Sequence, residues 1–371
     1  MKPNIIFVLL DGSRWDRVNH SPEFSELLHE GTFLNNVTAA IPYTIGSVNA
    51  LFTGLYGKEN GIDAYYKMFR LKDSVKVLPE ILKEQGYFTA CDLLSEKIVS
   101  KRGYDIHQFH DEYKDDLTKR HPKFINDCLE KANDKPLFLF LHFTRIHTVT
   151  VSEILKKYEW DNKEFYDRKE DNLANYDKTF LEAGSYAKLI KKTIKDLGIL
   201  NDTILIFFSD HGTGVGERFG ERNYGSFTYE ETIRAFFLFI GKDIVKNRLS
   251  EKLRENVDIF PTILELADIK TKFDVSGESF SDYLKKTDKN LDNKKYVYSE
   301  TGALQGPFPS PMNPNVFCIK TVEHKLIYLK TPDEWRLYNL KNDPNELDNI
   351  YNENKIVSKE LKSKLLEWIN R

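Results

Sequence analysis

The chain has 371 residues, of which 40% are hydrophobic and 30% are charged. This length can form one large α/β domain with a small appendage, or two medium-sized domains. The formal net charge of −3 argues against a protein dedicated to nucleic-acid binding, because such proteins carry strongly basic surfaces. We therefore expect a globular protein with a substantial core and no nucleic-acid partner.

Cysteine content and hydropathy favour a cytoplasmic protein. The three cysteines, Cys91, Cys128 and Cys318, are an odd and sparse set that does not suit a disulfide framework. The apolar run at residues 5–10 is shorter than the hydrophobic region of a secretory signal, and Asp11 ends it. No segment approaches the ~20 apolar residues of a membrane span. We expect a reducing compartment and no integral membrane segment.

Four strongly apolar runs predict strands that are buried on both faces, as in a parallel sheet. In chain order they are NIIFVLL (4–10), PLFLFLHF (136–143), TILIFFSD (203–210) and AFFLFIG (235–241). Helical patterns lie between them, among them VLPEILKEQGY (77–87) and DIFPTILELADI (258–269). This alternation predicts an α/β domain over residues 1–285, with a mainly parallel sheet covered by helices on both faces.

A polar run at residues 284–294, KKTDKNLDNKK, predicts a boundary before a smaller unit at residues 295–371. Strand patterns follow in YVYSE, VFCIKTV, KLIYL and RLYNL, and KELKSKLLEWINR (359–371) has the pattern of an amphipathic helix. We expect a small antiparallel sheet with that helix. The charged segment at residues 148–180 contains scattered aromatic residues. Its pattern is compatible with a lid over a site and with an ordinary helical insert.

Residues that suit a metal ion follow the predicted strands. Asp11 ends the first strand, and Asp210 and His211 end the third. Ligands bind at the carboxyl ends of the strands in open parallel sheets, so we expect these side chains to meet. Carboxylate oxygens and an imidazole suit a divalent cation such as Mn²⁺, Zn²⁺, Mg²⁺ or Ca²⁺. The second run adds His142, and His147 follows shortly after it.

The segment IPYTIGSVNALFTGLYGKENG (41–61) supplies a candidate nucleophile, Thr44. A helix is expected over residues 45–53, and Gly54 would end it. Thr44 would then lie at the helix N-terminus, where backbone N–H groups and the helix dipole favour an anion. A metal ion bonded to the hydroxyl oxygen would lower its pKa and make it a better nucleophile. Position alone also allows Thr44 to be only a helix cap.

Taken in order, these segments resemble those of the alkaline phosphatase/sulfatase superfamily. NIIFVLLDGSRWDR resembles the opening strand with its metal-binding aspartate, and GILNDTILIFFSDHGTGVGE resembles the second metal segment. GTFLNNVTAAIPYTIGSVNALFTGLYG resembles the nucleophile segment, in which the Thr53-Gly54 pair places the nucleophile at Thr44. LFLFLHFTRIH resembles the strand whose final histidine, here His147, contacts the substrate anion in many members. The resemblance covers nearly the whole chain and implies an alkaline-phosphatase-like fold.

The sequence departs from the sulfatase pattern around the nucleophile. Sulfatases oxidise a cysteine or serine, followed by Pro-Ser-Arg, to formylglycine. Thr44 cannot give that aldehyde, and Val48 stands at the arginine position. Gly12 stands where a second aspartate commonly follows the first, and Tyr224-Gly225 replaces a frequent His-Gly pair. No Asp-x-x-x-His motif of two-metal members is evident, so we expect a single ion.

The leading hypothesis is a metal-dependent phosphoester hydrolase or phosphoryl transferase that acts through a phosphothreonine at Thr44. The resemblance implies that Asp11, Asp210, His211 and the Thr44 oxygen hold one divalent ion. It also implies that His147 orients the substrate or protonates the leaving group. The expected partner is a small-molecule, glycan or lipid phosphate ester.

Three further side chains, His142, Arg145 and Lys320, are candidates for binding the substrate's anion. Two alternatives to the leading hypothesis remain. The same site could hydrolyse sulfate esters or phosphonates. The chain could also be a pseudoenzyme that keeps the fold as a binding module, although no requirement of the fold explains why all the metal-type residues are present together.

Overall fold

The computed structural model describes residues 2–68, 70–270 and 273–371, and these form two β-sheets with flanking helices. The strands of the larger sheet are β1 (Asn4–Leu10), β2 (Gly31–Thr38), β3 (Phe88–Leu93), β4 (Ile106–Phe109), β5 (Leu137–Phe143), β6 (Thr203–Phe208), β7 (Arg234–Gly241), β8 (Arg248–Ser250) and β9 (Arg254–Glu255). The smaller sheet contains β10 (Val297–Thr301), β11 (Val316–Lys320), β12 (His324–Leu329) and β13 (Glu334–Asn339). The α-helices are α1 (Pro22–Leu28), α2 (Thr44–Thr53), α3 (Gly57–Asn60), α4 (Leu78–Glu84), α5 (Leu117–Ala132), α6 (Arg145–Val149), α7 (Lys163–Asp167), α8 (Lys169–Asp196), α9 (Glu230–Ile233), α10 (Ile259–Leu266), α11 (Ser281–Lys285) and α12 (Lys355–Asn370).

The larger sheet is mainly parallel, as the apolar runs predict. Its strands follow the order β4-β3-β5-β1-β6-β7-β2-β8, and β9 pairs with β2. β1 lies between β5 and β6 and is parallel to both. β7 is antiparallel to its two neighbours, β6 and β2. Its apolar sequence predicts a strand like the other three, but the chain enters it at the carboxyl end of β6 and so runs in the opposite direction.

Helices cover both faces of this sheet, which confirms the predicted architecture. On one face, Ile5, Phe7 and Leu9 of β1 belong to a fully buried core that includes residues of α2, α4 and α10. On the other face, Ile6 and Val8 belong to a second core with residues of α1, α5 and α8. Burying a side chain of this size contributes about 1.5–3 kcal/mol to the stability of the fold. Residues on both faces of β1 therefore stabilise the central position of this strand in the sheet.

The smaller sheet is antiparallel and has the strand order β10-β11-β12-β13, as the C-terminal strand patterns predict. The predicted C-terminal helix is α12, which packs on this sheet. Trp368 of α12 stacks on Tyr298 of β10 with 4.9 Å between ring centroids and an angle of 2° between the rings. The division of the chain into units at residues 1–285 and 295–371 remains a prediction.

Buried charges connect the smaller sheet to the segment that precedes β7. Lys325 Nζ lies 3.1 Å from Glu230 Oε1 and 2.8 Å from Glu346 Oε1, and all three residues are buried. Lys320 Nζ pairs with the other Glu230 oxygen at 2.8 Å. Two cations thus neutralise two carboxylates that would be costly to bury alone.

Replacing Lys325 by methionine should lower the free energy of unfolding by about 3–5 kcal/mol, because it leaves Glu230 and Glu346 without their shared cation. Urea denaturation followed by circular dichroism measures this change. Lys330→Met is the matched control, because Lys330 is exposed and directly follows β12. It should change the free energy of unfolding by no more than about 0.5 kcal/mol. Equal stability of the two variants would show that the buried pairs are dispensable.

The charged segment at residues 148–180 is mostly helical, with an irregular stretch at residues 156–162. It includes a single π-helical turn at Thr150–Leu155, then α7 and the first part of the 28-residue α8. One side of α8 packs into the core through Phe180, Ala183 and Ile190. In the part of the chain that the structure describes, no helix combines the length and the apolar character needed to cross a membrane.

Candidate active site

Three of the predicted site residues meet at the carboxyl edge of the parallel sheet. Asp11 follows β1, Asp210 lies two residues after β6, and Thr44 is the first residue of α2. The turn after β1 depends on Gly12, which has a φ of +70° and donates its N–H to Asp210 Oδ1 at 3.2 Å. A Cβ atom at this position would lie 2.9 Å from Thr213 Oγ1. A second aspartate does not fit here in the observed conformation.

The side chains of Asp11, Thr44, Asp210 and His211 form one compact, buried cluster. Thr44 Oγ1 lies 3.4 Å from Asp11 Oδ1 and 3.4 Å from His211 Nε2. His211 Nε2 is 3.4 Å from Asp210 Oδ2 and 3.7 Å from Asp11 Oδ1. One ligand atom from each of Asp11, Asp210 and His211 lies within 4.8 Å of the other two.

The protonation states in this cluster suit a divalent cation. His211 Nδ1 is 2.7 Å from the Gly212 carbonyl oxygen, so Nδ1 carries the proton and Nε2 presents its lone pair to the two carboxylates. Among the described residues, the buried Asp210 Oδ2 has no hydrogen-bond donor. Burial and the nearby charge of Asp11 raise the pKa of Asp210. A bound cation would remove this repulsion, so the donor set fits the metal ion that the resemblance implies.

Thr44 is not the N-cap of its helix. Tyr43 occupies that position with extended backbone angles, and α2 begins at Thr44 and ends at Gly54, which is left-handed with a φ of +68°. The helix therefore has the bounds that the sequence predicts to within one residue. The Thr44 hydroxyl is directed at Asp11 and His211, not at the helix backbone, so the interpretation of Thr44 as a simple cap is wrong.

His142 lies behind Asp11. Its Nε2 donates to Asp11 Oδ2 at 2.8 Å, while its Nδ1 accepts the Leu94 N–H at 3.4 Å. The ring is fully buried. Although burial alone would raise the pKa of Asp11, the hydrogen bond from His142 and the charge of His147 lower it well below the usual range. The structure therefore places His142 as a positioning residue for Asp11, rather than as the substrate-binding residue that the sequence predicts.

His147 lies on α6 and is paired with Glu112. His147 Nδ1 donates to Glu112 Oε2 at 3.2 Å, and both side chains are mostly buried. Burial by itself would lower the pKa of His147, but the bond to Glu112 and the charges of Asp11 and Asp210 raise it above its ordinary value. Sequence reasoning missed Glu112, because it lies in the polar segment between β4 and α5 and belongs to no recognisable motif.

Replacing Glu112 by glutamine should shift the basic limb of the pH–activity profile to lower pH by about one unit, since a nearby opposite charge moves a pKa by 1–3 units. The reason is that Glu112 favours the protonated imidazolium of His147, and a proton donor loses activity as the pH rises through its pKa. The profile of kcat/KM measures this shift. Glu164→Gln is the matched control, because Glu164 is exposed and pairs with Tyr158 away from His147. Superimposable profiles for Glu112→Gln and wild type would contradict the role.

The structure does not bring Arg145 and Lys320 into this cluster. Arg145 pairs with Glu182 at 2.8 Å, and both side chains are about half exposed. Lys320 is buried on β11, where its ammonium group bonds to Glu230 and Asn36. Both cations are already paired with protein groups, so neither is placed to receive the substrate's anion as the sequence predicts. The sequence around a charged residue does not indicate which distant residue it will pair with in the folded protein.

A cavity of about 150 Å³ is lined by Tyr43, the residue before Thr44, and four of its lining side chains are aromatic. Its walls include Tyr43, Tyr65, Trp160 and Tyr224, together with Arg222. The Tyr224 ring lies 4.5 Å from the His211 ring, between centroids, so the cavity continues the metal-type cluster. Trp160 comes from the charged segment at residues 148–180, which therefore contributes to a wall of the site.

The mainly parallel sheet and the smaller antiparallel sheet together have the alkaline-phosphatase-like architecture. The family model described as "Sulfatase" matches residues 3–269, which is most of the chain. The model described as "N-sulphoglucosamine sulphohydrolase, C-terminal" matches residues 220–371. The chain therefore belongs to the sulfatase family, in agreement with the superfamily resemblance found in the sequence.

Individual relatives are similar at low identity. An N-acetylglucosamine-6-O-sulfatase of Bacteroides thetaiotaomicron is 30% identical over an alignment of 175 residues, covering 45% of this chain and 30% of the relative. An arylsulfatase of Clostridium perfringens is 22% identical over an alignment of 451 residues, covering 95% of this chain and 91% of the relative. A solved structure described as a complex with D-glucosamine-2-N,6-O-disulfate has a TM-score of 0.79 at 18% identity and covers 99% of this chain and 97% of that chain.

Proposed function

We propose that the protein hydrolyses sulfate esters, with Thr44 as the nucleophile. The observation that carries the proposal is the position of Thr44 Oγ1, 3.4 Å from both Asp11 and His211 in a buried cluster that suits a divalent cation. Family membership and the sulfatase names of the relatives support sulfate esters, which is the alternative to the phosphoester chemistry expected from the sequence. The aromatic cavity beside Thr44 suits an aryl group or a sugar ring as the rest of the substrate.

The chain's own residues and solvent account for the proton movements. Thr44 Oγ1, oriented by its hydrogen bond to Asp11, attacks sulfur and loses its proton to solvent as the bond from sulfur to the ester oxygen breaks. His147, protonated and oriented by Glu112, gives its proton to the departing alkoxide. Water then gives a proton to His147 and attacks the sulfur of the sulfothreonine, the bond from sulfur to Thr44 Oγ1 breaks, and Thr44 takes a proton back from solvent as sulfate leaves. Asp11, Asp210 and His211 would hold a divalent ion, which would stabilise the negative charge that develops in the reaction.

A second candidate is phosphate-ester hydrolysis or phosphoryl transfer, and the identity of Thr44 favours it. A threonine cannot form formylglycine, so release of sulfate from a hydrated aldehyde is not available to this chain. A phosphothreonine is cleaved by direct attack of water, or of an acceptor alcohol, on phosphorus. The same cluster and the same proton donor would serve this reaction.

Steady-state hydrolysis of matched aryl sulfate and aryl phosphate esters separates the two candidates. The assays use the full chain with Mn²⁺, Zn²⁺, Mg²⁺ or Ca²⁺ added in turn. A higher kcat/KM for the sulfate supports sulfate-ester hydrolysis, and a higher value for the phosphate supports the second candidate and contradicts the first. No turnover of either ester with any ion would support a pseudoenzyme.

We also propose that the protein works in a reducing compartment such as the cytoplasm. The three cysteines, Cys91, Cys128 and Cys318, are buried thiols that form no disulfide in the structure. Burial raises the pKa of Cys91 well above its usual range, so its thiol is unreactive. Immunodetection in fractionated cells tests this location.

A further inference from the structure

A second group of metal-ligand side chains lies outside the cluster that contains Thr44. It consists of Asp92, His110 and His121, and one ligand atom of each lies within 4.8 Å of the other two. Asp92 belongs to β3, His110 follows β4, and His121 lies on α5, so three separate elements converge. The Asp92 and His121 side chains are fully buried, as is that of His110. We call this group the β3–α5 cluster.

One ring nitrogen of His121 has no hydrogen-bond partner among the described residues. Its Nδ1 lies 2.5 Å from the Tyr186 hydroxyl, and its Nε2 faces Asp92 Oδ2 at 3.8 Å. That separation is too long for a hydrogen bond. Among the described residues, Nε2 has no hydrogen-bond partner at all. A buried ring nitrogen without a partner costs about 1–3 kcal/mol, so the site calls for a group between this nitrogen and the carboxylate.

The distances in the β3–α5 cluster suit a small cation. His110 Nδ1 lies 3.1 Å from Asp92 Oδ1, and His121 Nε2 lies 3.8 Å from Asp92 Oδ2. Two ligand atoms each about 2.0–2.2 Å from one Zn²⁺ are about 3–4 Å apart, which spans both separations. The second nitrogen of His110, Nε2, lies 3.4 Å from Thr144 Oγ1, and its N–H can donate a hydrogen bond to that oxygen when Nδ1 binds a metal.

The alternative is a purely organic network centred on Asp92. Arg120 Nε donates to Asp92 Oδ2 at 2.5 Å, and Gln108 donates to the same oxygen at 3.2 Å. These bonds satisfy the carboxylate but leave His121 Nε2 unpaired. His110 Nδ1 donates to Asp92 Oδ1 at 3.1 Å, and Arg120 Nη2 donates to that oxygen at 3.4 Å, so the roughly four lone-pair sites of the carboxylate are filled. An ion bound by His110 Nδ1 would replace the hydrogen bond from His110, so Asp92 could keep Arg120 and also bind the ion.

We propose that Asp92, His110 and His121 form a second divalent metal site, selective for a borderline cation such as Zn²⁺ or Co²⁺. Two imidazole nitrogens and one carboxylate oxygen are a donor set that such cations prefer over Mg²⁺ or Ca²⁺. The ion would join β3, the segment after β4 and α5. It would lie behind the first cluster, because the rings of His110 and His142 are 6.2 Å apart and His142 holds Asp11. The site adds one ion to the single ion expected from the sequence.

Zinc content measured by mass spectrometry tests the proposal. The full chain is stripped with a chelator, loaded with Zn²⁺ and dialysed. Wild type should hold two ions per chain, His121→Gln one, Asp210→Asn one, and the double variant none. One ion in wild type that disappears in Asp210→Asn would overturn the second site and leave the first intact. Two ions in His121→Gln would also overturn the second site.

A matched control and a second readout protect the test against misfolding. His29→Gln removes an exposed histidine whose ring contacts Asn247 and belongs to neither group, and this variant should still hold two ions. His110→Gln replaces His121→Gln if the latter fails to fold. The Asp210→Asn variant loaded with Co²⁺ should still show the visible absorption bands of the bound ion. The double variant that carries both Asp210→Asn and His110→Gln should not show them. Absence of those bands in correctly folded Asp210→Asn would contradict nitrogen ligation at the β3–α5 cluster.

Discussion

Replacing Thr44 by alanine should lower kcat/KM by at least about 10³-fold on whichever ester the wild type prefers, because the reaction loses its nucleophile. The fold should persist, since the change removes one hydroxyl and one methyl group from a position at the edge of the cavity. Steady-state kinetics measure the loss, and circular dichroism verifies the fold. Mass spectrometry of protein quenched during turnover should detect a sulfo or phospho group on wild type and none on the variant.

Two companion variants sharpen this prediction. Thr44→Ser should keep part of the activity, because it retains the hydroxyl but loses the methyl group that restricts χ1. Thr118→Ala removes an exposed threonine at the start of α5 and should match the wild type. If Thr44→Ala were as active as Thr118→Ala, Thr44 could not be the nucleophile.

Replacing Asp210 by asparagine should have opposite effects on stability with and without metal. The wild type buries Asp210 beside Asp11, and this proximity raises the pKa of Asp210. Without metal, the variant should therefore melt at a higher temperature than the wild type, since one of two repelling carboxylates is gone. With saturating divalent ion the order should reverse, because only the wild type binds the ion tightly at this site. Activity should fall by about 10³-fold or more.

Thermal melts with and without a chelator measure both effects. Asp177→Asn is the matched control, because Asp177 pairs with Arg17 outside the site. Its melting temperature should respond to metal as the wild type does. A wild type whose melting temperature and activity do not depend on any divalent ion would refute a metal site at Asp11, Asp210 and His211.

The sequence predicted those features that depend on local patterns. Continuous apolar runs marked β1, β5, β6 and β7, because strands buried on both faces need apolar residues at every position. Asp11, Asp210 and His211 were found because they directly follow such strands. The first turn of α2 was located because Gly54 ends that helix, and the structure agrees to within one residue.

Other features depend on contacts between distant segments, and no local pattern reveals them. β2 was not predicted as a strand, because Asn35 and Asn36 interrupt its apolar character at a shift in its register with β7. Glu112 acquires a role only through its contact with His147, 35 residues away in the chain. Lys320 looked like an anion-binding cation, but tertiary structure pairs it with Glu230 in the interior.

Contacts between the smaller sheet and the segments around the active site determine what a shortened or cleaved chain would retain. The Glu300 N–H, on β10, donates to the carbonyl of Ala40, four residues before Thr44. The Thr301 hydroxyl, on the same strand, donates to the carbonyl of Gly225, next to Tyr224 in the cavity wall. The smaller sheet therefore forms a brace, by which we mean these two hydrogen bonds from β10 to the segments that contain Ala40 and Gly225. A fragment that ended in the polar run at residues 284–294 would keep every metal-type ligand and lose this brace. A chain cut in that run would keep these hydrogen bonds, and its two pieces would be held together by non-covalent contacts alone.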